Sequence, residues 1–106
     1  MSRAGGARAD IARNLQAIER LKADLAVSFA ALYQAMYRNE DREMEAALAD
    51  VVIGAFLLSK RLGISYAGLD AAVLRRLRAM RGQGHEAEEW FGDCSALLAY
   101  LQDGAG

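Results

Sequence analysis

The stretch Ala46-Ala47-Leu48-Ala49-Asp50-Val51-Val52-Ile53-Gly54-Ala55-Phe56-Leu57-Leu58-Ser59 carries a single charge, Asp50. It is too short and too interrupted to cross a bilayer, which takes about 20 apolar residues. A helix that is apolar nearly all round reads instead as the most buried member of a bundle. The spacing predicts this helix over residues 42–62. Glu43 and Glu45 stand near its positive end, Asp41 is placed to cap it, and Lys60 and Arg61 lie in its last turn before Gly63.

Upstream, Ile11, Leu15, Ile18, Leu25, Phe29, Leu32 and Met36 recur at intervals of three, four or seven. They form the apolar stripe of a helix over residues 10–38, interrupted at Lys22. Downstream, Ser65 is the expected N-cap of a third helix, with Ile64 and Leu69 as a hydrophobic staple. Leu69, Val73, Leu77 and Met80 mark its buried side. Gly82-Gln83-Gly84 ends it, and a fourth helix over residues 86–101 presents Trp90, Cys94, Leu97 and Leu101 on one face. The chain has no proline, and most of its glycines fall where helices should stop. The fold class is therefore all-α: residues 10–103 are expected as a single four-helix domain, with residues 1–9 as a disordered tail.

Apolar residues make up 54% of the chain, above the roughly 45–50% of ordinary domains. A chain of this size has a modest core of its own. Oligomerisation, as a homodimer or homotetramer, is the expected cover for the surplus. The net charge of −1 gives no basic face for nucleic acid. Residues 1–10 lack the apolar stretch of a signal peptide, and no segment spans a membrane. Cys94 is the only cysteine, which excludes an intramolecular disulfide and a cysteine-rich zinc site and suits a reducing, cytoplasmic setting.

Four features carry candidate chemistry. Asp50 has only Ala46, Ala47, Ile53 and Gly54 three and four positions away, so a buried carboxylate there needs an Arg, a Tyr or a metal from elsewhere. His85-Glu86-Ala87-Glu88-Glu89 departs from H-E-x-x-H at its last position and reads first as a helix start favoured by the dipole. Cys94 reads as a small core residue. Arg75, Arg76, Arg78 and Arg81 form a basic cluster, solvated or paired along the helix; Arg75, Arg76 and Arg78 are the candidate phosphate-binding residues. No glycine-rich phosphate loop or dinucleotide fingerprint is present.

Leu48-Ala49-Asp50-Val51-Val52-Ile53, then Arg61-Leu62-Gly63-Ile64-Ser65 and on through Leu69, Val73 and Leu77, resembles the MazG-like nucleotide pyrophosphohydrolase superfamily. The small stand-alone MazG-like family of bacteria is similar almost throughout, from Asn14-Leu15 through Leu21-Lys22 to His85-Glu86 and Glu89-Trp90-Phe91-Gly92-Asp93. The resemblance implies a four-helix scaffold that dimerises or forms tetramers. In active members E-x-x-E on one helix and E-x-x-D on the next hold Mg²⁺ against a nucleoside triphosphate. On this chain Asp50 takes the final Asp, while Ala47, Ser28 and Ala31 stand where the glutamates belong. The metal motif is thus degenerate, with Asp50 its vestige.

The expected function is an oligomeric binding or regulatory module, non-catalytic or at most weakly catalytic, for which a nucleotide is the candidate ligand. No cofactor is firmly implied, and Mg²⁺ enters only if the superfamily activity persists. The rival is a Mg²⁺-dependent pyrophosphohydrolase whose carboxylates have moved to Glu43, Glu45, Asp70 or the residues around His85 and Glu89. A third alternative is a structural protein whose apolar helices pair with another chain.

Overall fold

The computed structural model describes residues 3–104, and all regular structure within them is helical. The elements are α1 (Arg3–Arg38), α2 (Asp41–Arg61), α3 (Tyr66–Gly82), α4 (Glu86–Phe91) and α5 (Asp93–Gly104). The all-α expectation holds. The chain forms two compact units, Met1–Ser65 and Tyr66–Gly106. No helix of the described residues is long and apolar enough to cross a membrane.

The first unit is an antiparallel hairpin of α1 and α2. Its turn uses Asn39 with a positive φ of 56°, a conformation asparagine tolerates better than most residues. The Glu40 amide donates to the Ala35 carbonyl at 3.0 Å and closes the turn. At the other end the Asn14 side chain bridges to α2. Its Nδ2 donates to the Arg61 carbonyl at 3.1 Å and its Oδ1 accepts from Arg61 Nη1 at 3.2 Å. This satisfies a carbonyl at the helix end that has no partner within the helix. Gly63, with φ of 87°, then ends α2 as expected.

Between these braces the fully buried residues are small, while Leu21, Leu25, Leu32, Met44, Val51 and Leu58 are half-buried. Ala35, Ala47, Gly54 and Ser59 are the buried side chains of the hairpin, and the Ser59 hydroxyl donates to the Phe56 carbonyl at 2.8 Å. Small side chains bring the helix axes close, but they bury little apolar area. Phe29, Met36, Leu48, Val52 and Ile53 consequently remain exposed. The expectation that α2 is buried nearly all round is not met: one stripe of it is covered.

The second unit has a small core of Leu77, Cys94 and Leu98, with Val73, Leu74, Met80, Ala87 and Leu101 packed around it. Cys94 is buried, as expected. The fourth expected helix is broken at Gly92, whose φ of 68° puts it in the left-handed region after Phe91. Glu88 bridges the break. Its carboxylate accepts from the Ser95 amide at 2.9 Å and from the Ser95 hydroxyl at 2.6 Å, capping the start of α5. These two bonds lower the Glu88 pKa below its ordinary 4.5, assisted by the Arg81 charge and opposed by partial burial.

Three further expectations are corrected. The tail over residues 1–9 is helical from Arg3, because its alanines and arginines continue α1; Met1 and Ser2 lie outside the described residues. Asp41 is the first residue of α2 rather than its cap, and Glu40 in the cap position makes no side-chain capping bond. Trp90, expected to dock on the core, is 66% exposed and stacks edge-on with Phe91. The break at Gly92 turns the short α4 independently of α5, so the face predicted for one continuous helix is split.

Two outcomes follow from this packing. Leu98→Ala removes a side chain that is 5% exposed and lowers stability by about 2–5 kcal/mol, whereas Trp90→Ala costs under about 1 kcal/mol; urea midpoints of the two variants distinguish them. Glu88 has a lowered folded pKa, so its contribution is full above the unfolded value of 4.5 and fades as pH falls through the folded value. Thermal melts across that acid range should show a loss of stability in the wild type that Glu88→Gln flattens.

Candidate functional site

The hairpin has two unlike flanks on either side of its seam. One carries Asp50. A cavity of about 320 Å³ is lined by Leu21, Asp24, Val27 and Ser28 from α1 and by Asp50, Ile53, Gly54 and Leu57 from α2. A second, of about 280 Å³, shares Asp50 and runs toward the turn past Ala31, Gln34, Ala35, Arg38, Glu40, Glu43, Ala46 and Ala47. Helical spacing produces this arrangement. Asp24, Ser28, Ala31 and Arg38 fall three, four or seven residues apart on α1, as do Glu43, Ala46, Asp50, Ile53 and Leu57 on α2. The alanines floor the groove and the carboxylates stand at its rim.

Asp50 is exposed in this groove and, among the described residues, has no ion-pair partner. Within this chain Asp50 is thus exposed, where a buried carboxylate was expected. Helical rotation puts Asp50 beside the seam rather than in it, where Ala47 and Gly54 sit. Ser28 lines the first cavity with Asp50, and Ala31 and Ala47 line the second. Asp24 was missed by sequence reasoning. It lies one turn before Ser28, and the acidic residue four positions upstream was the signal that would have found it.

The four-carboxylate Mg²⁺ site implied by the resemblance does not fit these residues. Asp24 shares the cavity with Asp50 but is ion-paired with Arg20 at 3.0 Å. The Ser28 hydroxyl donates to the Asp24 carbonyl at 3.0 Å. Ala31 and Ala47 carry no donor atoms. Among the described residues no three His, Cys, Asp or Glu side chains come together to hold a metal ion.

The other candidates are dispersed. Glu43 joins the Asp50 groove, whereas Glu45 and Asp70 are exposed and line neither cavity. His85 caps α4, its Nδ1 accepting from the Ala87 amide at 3.1 Å, while Glu88 turns to Ser95. Arg75, Arg76 and Arg78 are exposed on α3. At 100° per residue Arg75 lies nearly opposite Leu77, while Arg76 and Arg78 each lie about 100° from it, on its two sides.

The sequence profile of the MazG-like family matches residues 11–94, most of the chain, and the protein belongs to that family. Comparison with curated proteins and with solved structures gives no match.

Gly54 links the seam to the groove. A Cβ placed there lies 2.7 Å from Leu25 Cδ2 and 3.1 Å from its Cγ. Gly54→Leu gains about 0.8 kcal/mol of helix preference but overpacks the seam by about 1–3 kcal/mol. A lowered denaturant midpoint checks that balance.

Proposed function

We propose that this MazG-like protein is an oligomeric nucleotide-binding or regulatory module, non-catalytic or at most weakly catalytic, working in the cytoplasm. The observation that carries this reading is the composition of the Asp50 groove. Ser28, Ala31 and Ala47 line it at the positions where the resemblance calls for glutamates. Phosphoryl-transfer catalysis depends on fixing the phosphates and neutralising charge as it develops. A groove with Asp50 and an ion-paired Asp24 offers little purchase on a metal-bound triphosphate. Arg75, Arg76 and Arg78 on α3 are the residues proposed to meet phosphate oxygens, since guanidinium groups match that geometry. The exposed apolar side chains of α1 and α2 support self-association.

A pyrophosphate-release assay over standard and modified nucleoside triphosphates, with Mg²⁺ or Mn²⁺, tests the catalytic part. The expected turnover stays below about 0.1 s⁻¹, against 1–1000 s⁻¹ for ordinary enzymes. Faster turnover that Asp50→Ala abolishes establishes a pyrophosphohydrolase with relocated carboxylates. Thermal shift with the same nucleotides tests binding: a rise in melting temperature that Arg75→Ala/Arg78→Ala removes is expected. No shift with any of them leaves the structural helix-pairing protein as the better account.

A further inference from the structure

After Arg81 the chain carries no lysine or arginine, and the acids Glu86, Glu88, Glu89, Asp93 and Asp103 follow. Glu88 is committed to Ser95. Glu86, Glu89 and Asp93 are exposed, and among the described residues none of them has an ion-pair partner. These three bracket an aromatic pair. Trp90 and Phe91 are 66% and 71% exposed, edge to face with ring centroids 6.2 Å apart. Round α4, Trp90 lies about 40° from Glu86 to one side and Glu89 about 60° to the other. The local fold produces this exposure. Ala87 packs on the core of the second unit and Glu88 on the start of α5, which leaves the two rings outside at the end of α4, where Gly92 turns the chain. On α5, Asp93 falls within about 60° of the exposed Leu97 and Tyr100, beside the stripe that faces the core.

We propose that Trp90 and Phe91, with Glu86, Glu89 and Asp93, form a docking surface for a short basic segment of another protein, one in which arginine or lysine stands next to an apolar residue. The face of an indole attracts a cation, and arginine best of all, because its planar guanidinium also stacks. Unpaired carboxylates within one turn accept from the remaining guanidinium donors and turn away acidic partners. The area fits a segment rather than a folded subunit. Trp90 and Phe91 together expose on the order of 300 Å², well below the ~800 Å² per partner of a standard interface between folded proteins. An anionic membrane or a nucleic acid is disfavoured by the same acids, which would face its phosphates. This surface goes beyond the nucleotide reading and stands independently of it.

Trp90 is the only tryptophan of the chain, so its fluorescence reports on the surface directly. The full chain is titrated with a short synthetic peptide in which arginine and leucine alternate, and with a glutamate–leucine peptide as control. The free protein should emit as an exposed indole does. The arginine peptide alone should shift that emission to the blue, saturably, with an affinity that falls as salt is raised. Glu86→Gln/Glu89→Gln should weaken binding roughly three- to tenfold, with circular dichroism and the starting emission unchanged. If those substitutions unfold α4, the salt dependence and the control peptide carry the test on the wild type. A blue-shifted free protein, no response to the arginine peptide, or an equal response to the control overturns the proposal. So does an affinity indifferent to salt or to the two glutamates, or a response to phosphatidylserine vesicles without one to the peptide.

Discussion

The seam between α1 and α2 is the constraint on which the rest of the structure depends. Ala35, Ala47, Gly54 and Ser59 fill it, and Leu25 lies against Gly54 where a Cβ would intrude. Buried apolar area drives folding at roughly 25 cal/mol per Å², so a seam of alanine and glycine contributes modestly. What it supplies is proximity. The two helices approach closely enough for Asn14 to brace Arg61.

The two flanks of the hairpin have different chemistry because the sequence distributes polarity unequally about the seam. On α2, Asp50 and Glu43 fall to one side with Ala46, Ile53 and Leu57; Leu48 and Val52 fall to the other, in line with Asp41 and Glu45. On α1, Asp24, Ser28 and Arg38 join the first side, whereas Phe29, Tyr33 and Met36 join the second.

Much of the fold was legible in the sequence. The stripe from Ile11 to Met36, the apolar α2 and the stop at Gly63 fixed the first two helices because helical periodicity and glycine punctuation act locally. Burial was less legible. Periodicity says which residues share a face, but not how wide a strip of that face is covered. Asp50 and Trp90 were therefore assigned to interiors from which a rotation of about 40–60° about the α2 axis and the left-handed Gly92 remove them. Gly92-Asp93 was the overlooked signal, a helix-ending glycine followed at once by an acid at a new helix start. Ser28, Ala31 and Ala47, to which the resemblance assigns the glutamate positions, line the two cavities that Asp50 shares. Asp24 escaped because it lies one turn outside the motif.

The proposed self-association should cover exposed apolar side chains of α1, among them Phe29, Tyr33 and Met36. Hydroxyl-radical footprinting read by mass spectrometry, at protein concentrations above and below assembly, reports on that cover directly. Phe29, Tyr33 and Met36 are predicted to be shielded at high concentration and to gain reactivity on dilution. Phe29, Tyr33 and Met36 equally reactive at every concentration would contradict it.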